Sequence, residues 1–208
     1  MHASLVRITR AVMVATAATL LLVAPVAATE PVDPNTLTPP PPAAFNPSCE
    51  RIGANIVCEL AFSDPPIVGE PSDLHCDGDQ ILISQTRAVV GRRIYDIDGN
   101  LLKRHFREDF TGSFTNPTSG QTVSWVSHAT VIHTLASPGD IATGQTTSSG
   151  LSIRISGSAG DTVLVDAGRL LIDEASGEII ASAGPHHFDD YFVRGDGDAL
   201  RPLCDALG

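Results

Sequence analysis

The sequence predicts an all-β fold: antiparallel strands joined by hairpins into an up-and-down barrel of about eight strands. Three observations carry this. Leu101–Phe114 and Gln121–Leu135 alternate apolar and polar residues over strand-like lengths, with turn chemistry at Asn116-Pro117-Thr118-Ser119-Gly120 between them. Further turn signals recur at hairpin spacing down the chain. No stretch carries a long helical period. A closed sheet leaves no exposed edge, so a barrel is expected ahead of the alternative, a β-sandwich.

The N-terminus reads as an export signal. Arg7 and Arg10 precede the apolar run Ala11–Val23, and Val26-Ala27-Ala28 sets small residues at a cleavage site. Residues 1–28 are therefore expected to be removed, leaving no membrane span and placing the protein outside the cell. The signal holds two of the 13 basic residues and no acid, so the remainder carries 11 basic and 24 acidic groups, formally 11 − 24 = −13. That balance excludes a nucleic-acid backbone as partner and disfavours anionic membrane surfaces.

Residues 29–47 hold Pro31, Pro34, Pro39, Pro40, Pro41, Pro42 and Pro47, and read as an extended, mobile, disordered leader unable to join a ladder. Residues 48–208 form the domain. Cys49–Phe62 is the first strand region, with a turn at Gly53-Ala54-Asn55. Ser63–Gly78 is expected to be irregular because Asp64-Pro65-Pro66, Gly69, Pro71 and Asp77-Gly78 all break structure. Gln80–Tyr95 is a long strand, and Asp98-Gly99-Asn100 turns it into the central hairpin. Ile141–Thr147 reads as a short polar edge, followed by strands at Leu151–Ser156, Thr162–Ile172 and Glu178–Ala183. Leu200–Leu207 reads as a short helix or a pinned coil.

Four cysteines, Cys49, Cys58, Cys76 and Cys204, imply two disulfides in an exported chain, and three pairings are possible. Cys49–Cys58 with Cys76–Cys204 is favoured: the first closes a hairpin, the second ties the C-terminus to the domain. No C-x-x-C pair points to zinc.

The chemistry-bearing residues are few. Even positions of the first central strand carry Arg104 and Glu108 among Phe106, Phe110 and Phe114; odd positions of its partner carry Trp125 and His133. Polar groups on an otherwise apolar face mark a ligand cavity, so Arg104, Glu108, Trp125 and His133 are the candidate ligand-binding set. His105, Asp109 and His128 lie on the opposite, polar face. The run Gly184-Pro185-His186-His187-Phe188-Asp189-Asp190-Tyr191 reads as a polar loop, since adjacent histidines on a strand point apart. Asp96, Asp98 and Asn100 imitate a calcium loop, but Gly99 and Arg107 occupy the wrong positions, so a hairpin turn is expected. No nucleophile elbow, phosphate loop or metal set appears, so no catalytic residue, metal or cofactor is assigned.

Three stretches carry a resemblance: Thr115-Asn116-Pro117-Thr118-Ser119-Gly120-Gln121-Thr122-Val123, Asp166-Ala167-Gly168-Arg169, and Ala183-Gly184-Pro185-His186 with the ending Leu203-Cys204-Asp205-Ala206-Leu207-Gly208. In these the chain resembles a group of small exported actinobacterial proteins of unknown function. Its outline is also similar to allene-oxide-cyclase and dirigent β-barrels, in architecture only. The expectation is a secreted, non-enzymatic module binding a small apolar ligand or a cell-envelope component. The alternatives are an isomerase or cyclase using Glu108, Arg104 and His133, and a structural surface protein.

Overall fold

The computed structural model describes residues 29–208, so the expected signal peptide lies outside the described residues. Strands run β1 Glu30–Val32, β2 Ser48–Ile52, β3 Asn55–Ser63, β4 Ile67–Cys76, β5 Asp79–Tyr95, β6 Leu101–Thr115, β7 Thr122–Thr134, β8 Gln145–Ser156, β9 Thr162–Asp173 and β10 Ile179–Ala183. Two short helices follow, α1 His187–Phe192 and α2 Arg201–Leu207. All ten strands join one antiparallel sheet: nine run in the order β1-β2-β3-β5-β6-β7-β8-β9-β10, and β4 pairs β5 off this path. The seventeen-residue β5 carries two strands on one edge: β4 along Asp79–Gln85 and β3 along Ala88–Tyr95. The hydrogen-bonded ladder stays open, because β1 and β10 have one neighbour each.

The central hairpin forms where its alternation places it. Arg104 faces His133, Glu108 faces Ala129, and Phe114 faces Val123 across the β6–β7 pair. The same face continues onto β5 through Arg93, Gly91 and Val89. Two of its glycines make room for rings: a Cβ on Gly91 would strike Phe106 and the His105 carbonyl, and one on Gly112 would strike Trp125 and the Ser84 carbonyl. Each glycine sits directly opposite the ring it accommodates.

This face is divided into two apolar clusters. One joins Leu74, Ile81, Phe114, Val123, Trp125, Ile155 and Leu164 with Leu200, Leu203 and Leu207 of the C-terminal segment. The other joins Leu37, Ile56, Leu60, Tyr95 and Leu101 around Cys49–Cys58. Helix α2 shows that the sheet is curled. It packs on β9 and β7, yet Cys204 on it is bonded to Cys76 of β4. Five strand steps separate β4 from β9, about 24 Å in a flat sheet. A seven-residue helix is only about 10 Å long, so the face must curve round it. Both favoured disulfides, Cys49–Cys58 and Cys76–Cys204, are present and no free cysteine remains.

Three elements depart from expectation. Within Ser63–Gly78, strand β4 forms despite its breakers, because it lies on an edge and shifts register between Ile67 and Glu70 and between Pro71 and His75. An edge strand with bulges tolerates a missing N–H. Ile141–Thr147 is no separate edge: Gln145 onward belongs to β8, which bulges between Leu151 and Ile153 and pairs on both sides. The proline-rich stretch does join the ladder, through β1 on β2. It then lies across the sheet, with Leu37 3 % exposed and Thr38 bonded by backbone to Gly99 and Leu101. Proline removes donors but not acceptors, and here the Pro39 and Pro40 carbonyls accept from Tyr95 and Arg93.

Candidate functional site

The curled face brings two of the four expected ligand-binding residues together. Arg104 and His133 are cross-strand partners, and both Nε and Nη2 of Arg104 reach His133 Nδ1, the former at 3.1 Å. His133 Nε2 lies 2.8 Å from the Thr143 carbonyl oxygen. A carbonyl only accepts, so the proton sits on Nε2 and Nδ1 accepts from the guanidinium. The imidazole is therefore neutral, and it is 1 % exposed. Burial holds the Arg104 guanidinium below its ordinary pKa; neighbouring Arg93 adds to this and Glu174 opposes it.

Glu108 lies four residues along β6 from Arg104, about 13 Å in an extended strand. It makes no hydrogen bond among the described residues and lies between Val89 and Ala129. Burial lifts its carboxyl above the ordinary glutamate value, and the Arg87 charge only partly counters that. Trp125 lies further along still, stacked on Phe114 at 5.7 Å inside the cluster beneath α2. Its indole N–H is buried without a partner among the described residues. The four candidates thus share a face and stand at successive heights along it.

The run Gly184–Tyr191, expected to be a polar loop, instead contributes helix α1 and the Phe188 wall of an opening. Asp166 of β9 is 1 % exposed and accepts three hydrogen bonds: the backbone N–H groups of His187 and Phe188 at 2.9 Å each, and His187 Nδ1 at 2.6 Å. The carboxylate satisfies two orphan donors at the start of α1 and so fixes the helix to the sheet. That placement sets Phe188 against Phe114, with ring centres 6.3 Å apart, and leaves Phe192 51 % exposed. Between α1 and β4 lies a cleft of about 320 Å³ lined by Leu74, Ile83, Phe114, Phe188 and Phe192, with Ser72 and Asp73 at its margin. Its lining is mainly apolar. The sequence signal for it was the Phe188-x-x-Tyr191-Phe192 spacing, which is helical and not strand-like.

On the opposite face, His128 Nδ1 meets Asp109 Oδ1 at 2.6 Å, and Arg107 holds the other oxygen at 3.2 Å. The His128 bond, with the Arg107 charge, keeps the Asp109 carboxyl below its ordinary value. This is a solvated cross-strand hydrogen-bonded pair flanked by a same-strand arginine. Asp96 receives the backbone N–H groups of Asp98 and Asn100, which makes the β5–β6 connection a hairpin turn. Among the described residues no three His, Cys, Asp or Glu side chains gather as a metal-ligand set. Nor is any described helix long and apolar enough to cross a membrane. Comparison with protein-family models, with curated proteins and with solved structures finds no match to this chain.

Proposed function

We propose that the chain is an exported, non-enzymatic binding module whose curled sheet works as a half-open barrel, and that its ligand is a small, neutral, apolar molecule. The observation that carries the reading is the cleft under α1, where Phe114, Phe188 and Phe192 form an aromatic wall that the fold leaves half open to water. Isolated apolar residues on a surface need no explanation, but convergent rings lining a concavity mark a ligand seat. Its volume is that of a small-molecule site at the lower end of the range. Two disulfides support an extracellular setting. The binding reading is preferred to the isomerase one because Glu108 lies four residues along β6 from Arg104 and the His133 imidazole is already bonded at both nitrogens.

The test uses a neutral solvatochromic dye with the secreted chain and its Phe192→Asp variant. Phe192 is half exposed, so the variant is expected to melt with the parent. Saturable dye binding by the parent that disappears in the variant, and competition by small apolar alcohols, is the expected result. Equal binding by both proteins, or none by either, rejects the cleft as the ligand seat.

A further inference from the structure

We propose that the buried face holds a second site, at the opposite end from the aromatic cleft, where Arg93 and Arg104 bind the carboxylate of a small organic monoanion. The two arginines are direct cross-strand partners on β5 and β6. Like charges in that relation repel, and burial strengthens the repulsion. A chain with 24 acidic residues has ample means to neutralise them, yet no carboxylate of the described residues lies within 4 Å of either guanidinium. Arg93 is 8 % exposed; its Nη1 donates to the Pro40 carbonyl at 3.2 Å, and its Nε is buried with no partner. Buried arginine donors are ordinarily satisfied, so an unpartnered one beside a second guanidinium points to an absent acceptor.

Charge balance selects the ligand class. Arg93 and Arg104 supply two positive charges. His133 is neutral, because its Nδ1 accepts from Arg104. Glu174, bonded to Thr146, is the one carboxylate that acts on Arg104, and it does so from beyond contact. The site therefore carries a net charge of about +1, which a monoanion cancels and a phosphate dianion overshoots. Carboxylate also matches the planar guanidinium fork. Phe106, next to Arg104 on the same face and in contact with Phe45, offers apolar surface for a short organic tail. Arg104 is half-buried and so stays reachable from solvent.

Propionate is the probe, titrated against the secreted chain at constant ionic strength with chloride as the replaced anion, and followed by melting temperature and by calorimetry. Propionate is too short and too polar to need the aromatic cleft, and Phe192→Asp is expected to bind it unchanged. The expected result is a saturable rise in melting temperature that chloride does not give. Arg104→Gln should raise the propionate dissociation constant about tenfold or more, the loss of a charge-assisted pair. The same variant removes one of two repelling charges but also the donors to buried His133 Nδ1, effects of opposite sign, so it should melt near the unliganded parent. That keeps the test readable, since a misfolded variant would melt lower. Should Arg104→Gln melt well below the parent, Arg104→Lys replaces it: the charge is kept but the fork is lost, and weakened propionate binding is again required. No propionate-specific rise, an equal rise in Arg104→Gln, or tighter binding of inorganic phosphate than of propionate would each overturn the proposal.

Discussion

Removing the two disulfides one at a time should cost different amounts, and the difference follows from where each sits. Cys49 and Cys58 face each other in the β2–β3 hairpin, nine residues apart. Cys76 and Cys204 are separated by 128 residues. In the chain-entropy model the short link restrains the unfolded chain by about 2.6 kcal/mol and the long one by about 4.9 kcal/mol. The gap of about 2.3 kcal/mol corresponds to roughly 5–10 °C in a domain of this size. The folded state works in the same direction. Cys204 is the covalent tie that holds α2 against β4, so its loss also loosens Leu203 and Leu207 from the cluster they complete. The assay is calorimetric melting of two double variants, Cys49→Ala/Cys58→Ala and Cys76→Ala/Cys204→Ala, beside the parent. The second is expected to melt well below the first, and full reduction of the parent to melt below both. If the hairpin pair proves the costlier, neither loop length nor the clamping of α2 governs stability, and the account of α2 as the clamp on the curled sheet is wrong.

Other changes probe the face and its helix. Burial raises the Glu108 carboxyl above its ordinary value of 4.5, so between that value and the raised one the folded chain binds more protons than the unfolded chain. Stability should therefore fall as pH rises through that window, and Glu108→Gln should raise the neutral-pH melting temperature while leaving the melt below pH 4.5 unchanged. Gly112→Ala drives a methyl into the Ser84 carbonyl and the Trp125 ring, an overpacking cost of about 1–3 kcal/mol readable in urea unfolding. Asp166→Ala orphans the N–H groups of His187 and Phe188 and should cost at least about 1 kcal/mol, with dye binding in the cleft lost. His187→Ala keeps both of those backbone bonds and should cost less than Asp166→Ala in the same unfolding experiment.

What the sequence made legible follows from what a period of two can encode. It tells which face a side chain is on. Thus the β6–β7 hairpin was readable to within a residue, and Arg104 and His133 fell on one face as the register requires. The period does not tell how far along the strand two same-face residues lie from each other's level. Glu108 and Trp125 were grouped with that pair for this reason, although they sit at successive heights towards α2. Nor does it show which strands meet across a non-local seam. Pro40 reaches Arg93 only because the leader lies across the sheet.

The missed elements share a physical origin: each is stabilised by a partner far away in sequence. Helix α1 has six residues and no side-chain cap of its own, too little to form alone. Its first turn is held by Asp166, which lies 21 residues earlier on β9. The leader is held by Leu37, the one large apolar side chain buried within it, and by backbone bonds to the β5–β6 turn. Strand β4 borrows its ladder from β5 and its end from the Cys76–Cys204 bond. Both proposed ligand sites are built at these borrowed elements, one beneath α1 and the other beneath Pro40. The autonomous hairpins are the scaffold, and ligand recognition would be assembled where weakly self-supporting segments dock onto them. Such docked segments are also where local opening costs least, which gives a ligand a route to a face otherwise covered.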